Sequence, residues 1–283
     1  MKNLQGKTAL VTGASRGIGT YIAKALADQG MNLVLVARSA DLLEKVKTGL
    51  SKTGVQIQTI AADLGQLDQL ESLVLEAQRL SGGISVIVNN AGLEDAVPFD
   101  QADPEKIEQL IRVNLTAPIL LSRLFLPKMI ELGEGHIVNI SSLGGLLSTP
   151  YGEAYGAAKH GLVGFTRCLR TTAIGEGYPV SASVICPGMI SDAGMFHDAC
   201  QKYDITPPTS FGAASPKEVA NAVVQAILED EPEVIVNPKP IKPILFMQLF
   251  FPKFATKMMV KGGILKTFKE VTYKRLGRDI ANA

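Results

Sequence analysis

Residues 7–30 read KTALVTGASRGIGTYIAKALADQG, and how they are interpreted decides the fold. Residues 7–11 form an apolar run of strand length, residues 12–19 a glycine turn, and residues 21–30 a helically spaced segment closed by Gly30. A strand that feeds a helix through glycines is built for close packing. Gly13 permits the tight turn, Gly17 leaves room for a group to approach the backbone, and Gly19 lets the helix sit against the strand.

Working outward, strand and helix patterns alternate. A second buried strand is predicted at MNLVLVARS (31–39), a helix over 40–50, a strand at VQIQTIAADL (55–64), a helix over 67–80 and a strand at SVIVNNAG (85–92). Residues 102–130 are helical in two parts, with Asn114 between them. Strands follow at HIVNISS (136–142) and VSASVICPG (180–188), then a helix over 216–228 and a strand at EVIVN (233–237). Such alternation predicts an α/β class, a Rossmann-type doubly wound parallel sheet with helices on both faces.

In such a fold the glycine turn opens a helix whose free N–H groups suit a pyrophosphate. The turn contributes Gly13, Ser15, Arg16, Gly17, Ile18 and Gly19, although its G-x-x-x-G-x-G spacing differs from the commoner G-x-G-x-x-G. After the second strand, Arg38 and Ser39 fall where an adenosine ribose would lie. An acid there selects a free 2′-hydroxyl, whereas Arg38 with Arg16 favours a 2′-phosphate, hence NADP(H) over NAD(H). Asp63 and Leu64 are placed to receive the adenine, and the backbone of Asn90, Ala91 and Gly92 to pass beneath the cofactor. Pro187 and Gly188, with Ile190 beyond them, should line the nicotinamide.

The chemistry is expected in SLGGLLSTPYGEAYGAAK, residues 142–159. On a helix, Tyr155 and Lys159 share one face. Bringing a phenol from about 10 down by two units takes roughly 2.7 kcal/mol. A cation about 5 Å away at an effective dielectric of about 20 supplies roughly 3 kcal/mol. One lysine thus suffices to ready Tyr155 for proton transfer, with Ser142 holding a substrate oxygen. Alone, Y-x-x-x-K is an ordinary exposed pair; the surrounding pattern gives it weight. Asn114, a poor interior helix residue, reads as a disturbed turn holding a proton-relaying water, or as a cap at a break.

Composition bounds the alternatives. Of 283 residues, 46% are hydrophobic and 19% charged, which excludes disorder. The start, MKNLQGKTALVTG, has no apolar signal region, so a cytoplasmic site of action is expected. Cys168, Cys186 and Cys200 are scattered and odd in number, which predicts buried thiols rather than disulfides. His197 and Cys200 have H-x-x-C spacing, but two ligands do not make a metal site, and no metal is expected.

Charge is unevenly spread. Residues 239–283 hold ten lysines and arginines against Glu270 and Asp279, a net of +8, so the rest of the chain carries −7 toward the formal +1. No nucleic-acid partner is expected. The PKPIKP stretch (238–243) reads as an extended linker, and the following ILFMQLFF (244–251) is too short to span a bilayer. Apolar residues interleaved with lysines over 244–270 fit either a peripheral contact with an anionic membrane or packing against the rest of the protein. Residues 1–237 are thus expected to form the cofactor-binding and catalytic domain, with a mobile lid at 189–215, and 238–283 a basic, apolar tail. Met195, Phe196, Phe211 and the tail aromatics predict an apolar mouth for a hydrophobic substrate. Glu94 and Asp95, after N-N-A-G, read either as contacts for substrate hydroxyls or as exposed loop acids with no specific role.

Taken together, T-G-x-x-x-G-x-G (12–19), Asp63-Leu64, N-N-A-G (89–92), Asn114, Ser142, Y-x-x-x-K (155–159) and Pro187-Gly188 resemble the short-chain dehydrogenase/reductase family over residues 4–237. The resemblance implies a catalytic tetrad of Asn114, Ser142, Tyr155 and Lys159, with Lys159 also holding the nicotinamide ribose. It implies hydride transfer between nicotinamide and a carbonyl or secondary alcohol, and a homodimer or homotetramer pairing through the helices that contain Asn114 and Tyr155. It also marks one departure. The family's P-G-x-x-x-T has Asp192 at its last position, with Ser191 the neighbouring hydroxyl. The competing readings are an NAD-dependent alcohol dehydrogenase and a non-catalytic NADP-binding scaffold, and the complete tetrad argues against the second.

Overall fold

The computed structural model describes residues 1–205, 212–261 and 263–278. Phe211, named above for the substrate mouth, and residues 206–210 of the expected lid lie outside the described residues.

Seven parallel strands are found among those residues: β1 (Thr8–Thr12), β2 (Asn32–Ala37), β3 (Ile57–Ala61), β4 (Val86–Asn89), β5 (Gly135–Ile140), β6 (Val180–Pro187) and β7 (Glu233–Val236). Their order, β3-β2-β1-β4-β5-β6-β7, reverses direction between β1 and β4, which opens a crevice at the carboxyl ends of those two strands. Because both faces are covered, the central strands are buried along their whole length rather than on alternate residues. Ala9, Val11, Leu33 and Leu35 meet α1 (Ile18–Asp28), α2 (Ala40–Gly49) and α8 (Pro216–Glu229) on one face. Leu10, Val34 and Val36 meet α3 (Leu70–Ser81) and α5 (Ala117–Glu131) on the other.

Between α4 (Pro104–Ile111) and α5 the helix widens into a π-type turn, Arg112–Thr116, centred on Asn114. Ser142 follows β5 by two residues, and α6 (Glu153–Gly175) carries Tyr155 and Lys159. The region read as a lid contains a helix, α7 (Met195–Tyr203), and is tied at its ends by a bridge between Ile190 and Ala214.

The tail departs from expectation. PKPIKP is not extended to its end, because α9 (Lys242–Phe250) begins inside it, with Pro243 in the first turn where a missing N–H costs nothing. Pro252 likewise opens α10 (Pro252–Lys261), and α11 (Ile264–Arg275) follows. Ile244 and Leu245 of α9 pack against Leu143, Leu147 and Ile241, and Gln248 Nε2 donates to the Leu146 carbonyl at 3.4 Å. Val271 of α11 is buried with Ala199, Cys200 and Ile205 of the α7 region. Cys168 corrects the buried-thiol expectation. It sits on the outer face of α6 and is exposed, while Cys186 and Cys200 are buried.

Candidate active site

The glycine turn is locked from beneath. Thr12 Oγ1 accepts from the backbone N–H groups of Asn90 and Ala91, each at 3.0 Å, and Asn90 Nδ2 donates to the Thr12 carbonyl at 2.9 Å. Gly13 and Gly17 have φ of 64° and 59°, in the left-handed region. A β-carbon on Gly13 would stand 2.8 Å from Ala91 Cα, and one on Gly19 only 2.2 Å from the Gly13 carbonyl oxygen. Close packing therefore requires glycine at both. Gly17 precedes α1 without any side-chain cap, so the first N–H groups of that helix remain available to a ligand.

Above this turn runs a groove lined by Gly13, Ser15, Arg16, Gly17, Ile18, Gly19, Arg38, Ser39, Asp63, Leu64, Asn90, Ala91 and Gly92. Every residue assigned above to the adenosine and pyrophosphate end thus faces one cleft. Arg38 is exposed, and Arg16, whose side chain is 73% exposed, makes only a loose 3.8 Å pair with Asp198. Asp63 Oδ1 accepts from the Gly65 N–H at 3.0 Å.

A second cavity, of about 220 Å³, shares Ile18, Asn90, Gly92, Gly194 and Met195 with the groove and extends past Ser142, Tyr155, Lys159, Pro187, Gly188 and Ile190. Lys159 is buried, and its Nζ donates to the Ile140 carbonyl at 2.9 Å and stands 5.7 Å from the Tyr155 ring centroid. Ser142 Oγ accepts from the Gly144 N–H at 3.1 Å. Asn114 clasps one residue, since Oδ1 accepts from the Leu93 N–H and Nδ2 donates to the Leu93 carbonyl, both at 2.7 Å. Its amide therefore anchors the loop after β4 while keeping one N–H and one lone pair for a further partner.

Electrostatics correct the simple argument for Tyr155. Burial pushes the phenol up to about 12, and the adjacent Ser142 hydroxyl offsets only part of that rise. The same burial drives Lys159 down to about 8. The expectation counted the Coulomb attraction but not the loss of water around both partners, and desolvation of an ionised group costs several kcal/mol.

Asp192 occupies the position of the family threonine and accepts from Ser191 Oγ at 2.7 Å, so that hydroxyl is already committed. The expected apolar mouth is present. Met195 and Phe196 line it, and the tail contributes Met259 and Phe268, with Phe268 tilted against Phe196 at 5.8 Å. The aromatics of ILFMQLFF do not reach it; Phe246, Phe250 and Phe251 are exposed.

Sequence reasoning missed Arg275. Its guanidinium reaches Glu94 Oε1 at 3.0 Å and Asp95 Oδ1 at 3.4 Å, fastening α11 to the loop after β4 at the cavity wall. Burial raises Glu94 above the usual carboxylate range, and Arg275 partly opposes this. A partner 180 residues away leaves no local pattern to find.

Comparison with known proteins agrees with this geometry. The family model for short chain dehydrogenase matches residues 7–204. The chain is 42% identical over 278 residues to the ketoacyl reductase HetN of Nostoc sp., covering 98% of this chain and 91% of that protein. It is also similar to a metagenomic short-chain oxidoreductase solved with NADP (33% identity, TM-score 0.71, 83% of this chain and 99% of that one). A short chain dehydrogenase/reductase from Burkholderia phymatum solved with NAD aligns at 25% identity and TM-score 0.78, covering 90% and 96% of the two chains.

Proposed function

Because the chain belongs to the short-chain dehydrogenase/reductase family and is an oxidoreductase of that family, we propose that it is an NADP(H)-dependent reductase of hydrophobic carbonyl compounds. The favoured substrate class is 3-oxoacyl, with other lipid or steroid-like ketones next. The observation that carries this reading is the meeting of Tyr155, Ser142 and Lys159 in an apolar cavity continuous with the cleft over the glycine turn. The similarity to a ketoacyl reductase along nearly the whole chain supports the substrate class.

The residues fit the cofactor. Glycines at positive φ, an uncapped helix start and two exposed arginines suit the pyrophosphate and a 2′-phosphate, while Asp63 and Leu64 bound the adenine end. When bound, NADP(H) supplies or accepts the hydride at the substrate carbon. Tyr155 then gives the proton to the substrate oxygen in reduction, or takes it in oxidation, and Ser142 holds that oxygen in line. Lys159, anchored on Ile140, supplies positive charge beside the phenol and a donor for the nicotinamide ribose.

The test is Tyr155→Phe, assayed by NADPH consumption with 3-oxoacyl esters, alongside cofactor binding. Turnover should fall by about 10²–10⁴-fold with NADPH affinity retained. Unchanged turnover would remove Tyr155 from the reaction. Pairing through α4, α5 and α6 into a dimer or tetramer belongs to the same proposal.

A further inference from the structure

Seven of the fifteen exposed large hydrophobic residues among the described residues fall within residues 246–260. Phe246, Leu249, Phe250, Phe251 and Phe254 are each 58–74% exposed, far more than a globular surface needs. They cluster at one corner, where Phe251 ends α9 and Pro252 starts α10. Phe246 and Phe250 stack there with centroids 4.6 Å apart.

The charge around this corner has one sign. No Asp or Glu occurs between Glu233 and Glu270, whereas seven lysines do. Lys253, Lys257 and Lys261 recur every fourth residue along α10 beside Phe254 and Met258, and none forms an ion pair among the described residues. The inner side of the same helix is different. Ala255 is buried and Met259 lines the catalytic cavity, one residue from solvent-facing Met258.

We propose that the outer corner of α9 and α10 docks on an anionic lipid bilayer, seating the mouth of the cavity at the membrane surface so that a lipid-dissolved substrate enters past Met259. Aromatic side chains held beside long cationic ones suit the boundary between acyl chains and anionic headgroups. A second copy of the chain is the poorer occupant, because a symmetric pairing would set this lysine-rich face against itself. Docking rests on the exposed corner and its charge. Only the route of entry rests on the reading of the cavity as a hydrophobic substrate site.

The experiment is flotation of the full-length protein with phosphatidylcholine vesicles containing either no anionic lipid or roughly 30 mol% phosphatidylglycerol. The protein should partition about tenfold more to the anionic vesicles and lose most of that gain in about 0.5 M NaCl. The double variant Phe250→Ser/Phe254→Ser should lose about tenfold in vesicle binding, yet keep its turnover of a small water-soluble ketone. Lys253→Glu/Lys257→Glu should abolish the preference for anionic lipid. The proposal is overturned if the wild-type protein does not float with anionic vesicles, or if the Phe250/Phe254 variant floats equally. It is also overturned if that variant converts a dimer to a monomer while the parent shows no lipid binding. Because binding is read without turnover, a wrong substrate class leaves this result intact.

Discussion

Replacing Arg38 by alanine isolates the choice between the two nicotinamide cofactors. The guanidinium lies on the rim of the cleft and is exposed, so its attraction to a phosphate is weakened by water. At a contact distance of about 4 Å in a dielectric of about 80, one pair of unit charges is worth roughly 1 kcal/mol. A phosphate monoester carries about −1.5 to −2, which brings Arg38 to roughly 2 kcal/mol. That corresponds to a rise of about 30-fold in the KM for NADPH. NADH lacks the phosphate, so its KM should move less than about twofold, and the ratio of kcat/KM for the two cofactors should shift toward NADH by the same factor of about 30. Arg16, close by and only loosely paired with Asp198, will retain part of the preference, and Arg16→Ala/Arg38→Ala should remove it. Steady-state kinetics with both cofactors, repeated at high salt where the wild-type advantage should shrink, is the assay. Equal losses for NADPH and NADH on Arg38→Ala would refute the reasoning, since they would show a role in the turn's structure rather than in phosphate recognition.

Two further outcomes concern a histidine buried in the sheet and an ion pair at the cavity wall. His136 is buried in β5, and since Ser183 Oγ donates to the Glu231 carbonyl it accepts from His136 Nε2, leaving Nδ1 bare. Burial lowers this histidine from its ordinary 6.5 to about 4. The unfolded chain therefore binds the proton first, and stability present above pH 6.5 should drain away by up to roughly 3 kcal/mol as pH falls through 4. Urea melts across that window should show the loss in wild type and a flatter profile in His136→Gln; parallel profiles would reject the assignment. Arg275→Ala should leave Glu94 without its cation and release α11, at a cost of about 1–2 kcal/mol for this partly exposed pair. Faster amide exchange over residues 264–278, with the sheet unchanged, is the expected readout, and undiminished protection there would sink the idea.

What the sequence revealed was what contiguous residues carry. The turn at residues 12–19, the arginine after β2 and the tyrosine–lysine spacing on α6 are local patterns whose side chains have few places to go, and the structure brings them around one connected cleft. The misses have a common cause, which is that they depend on distance or on water. Arg275 meets acids 180 residues earlier in the chain, and Met259 reaches the cavity from a helix in which only the aromatic residues had been expected to do so. Pro243 and Pro252 read as signs of extended chain but serve as helix starts, a distinction that depends on what the following turn packs against. The spacing of Tyr155 and Lys159 likewise carries no information on burial, which raises the phenol to about 12.

The placement of Phe268 and Arg275 after the last strand of the sheet gives the molecule an order of completion during synthesis. Every residue of the nucleotide cleft lies at or before Asp198, whereas the roof of the reaction chamber waits for α10 and α11. A nascent chain halted after β7 would already present its nucleotide cradle while its chamber stood open to solvent. Exchange of residues 238–278 between relatives should therefore retune which compounds are admitted while leaving the cradle as it was.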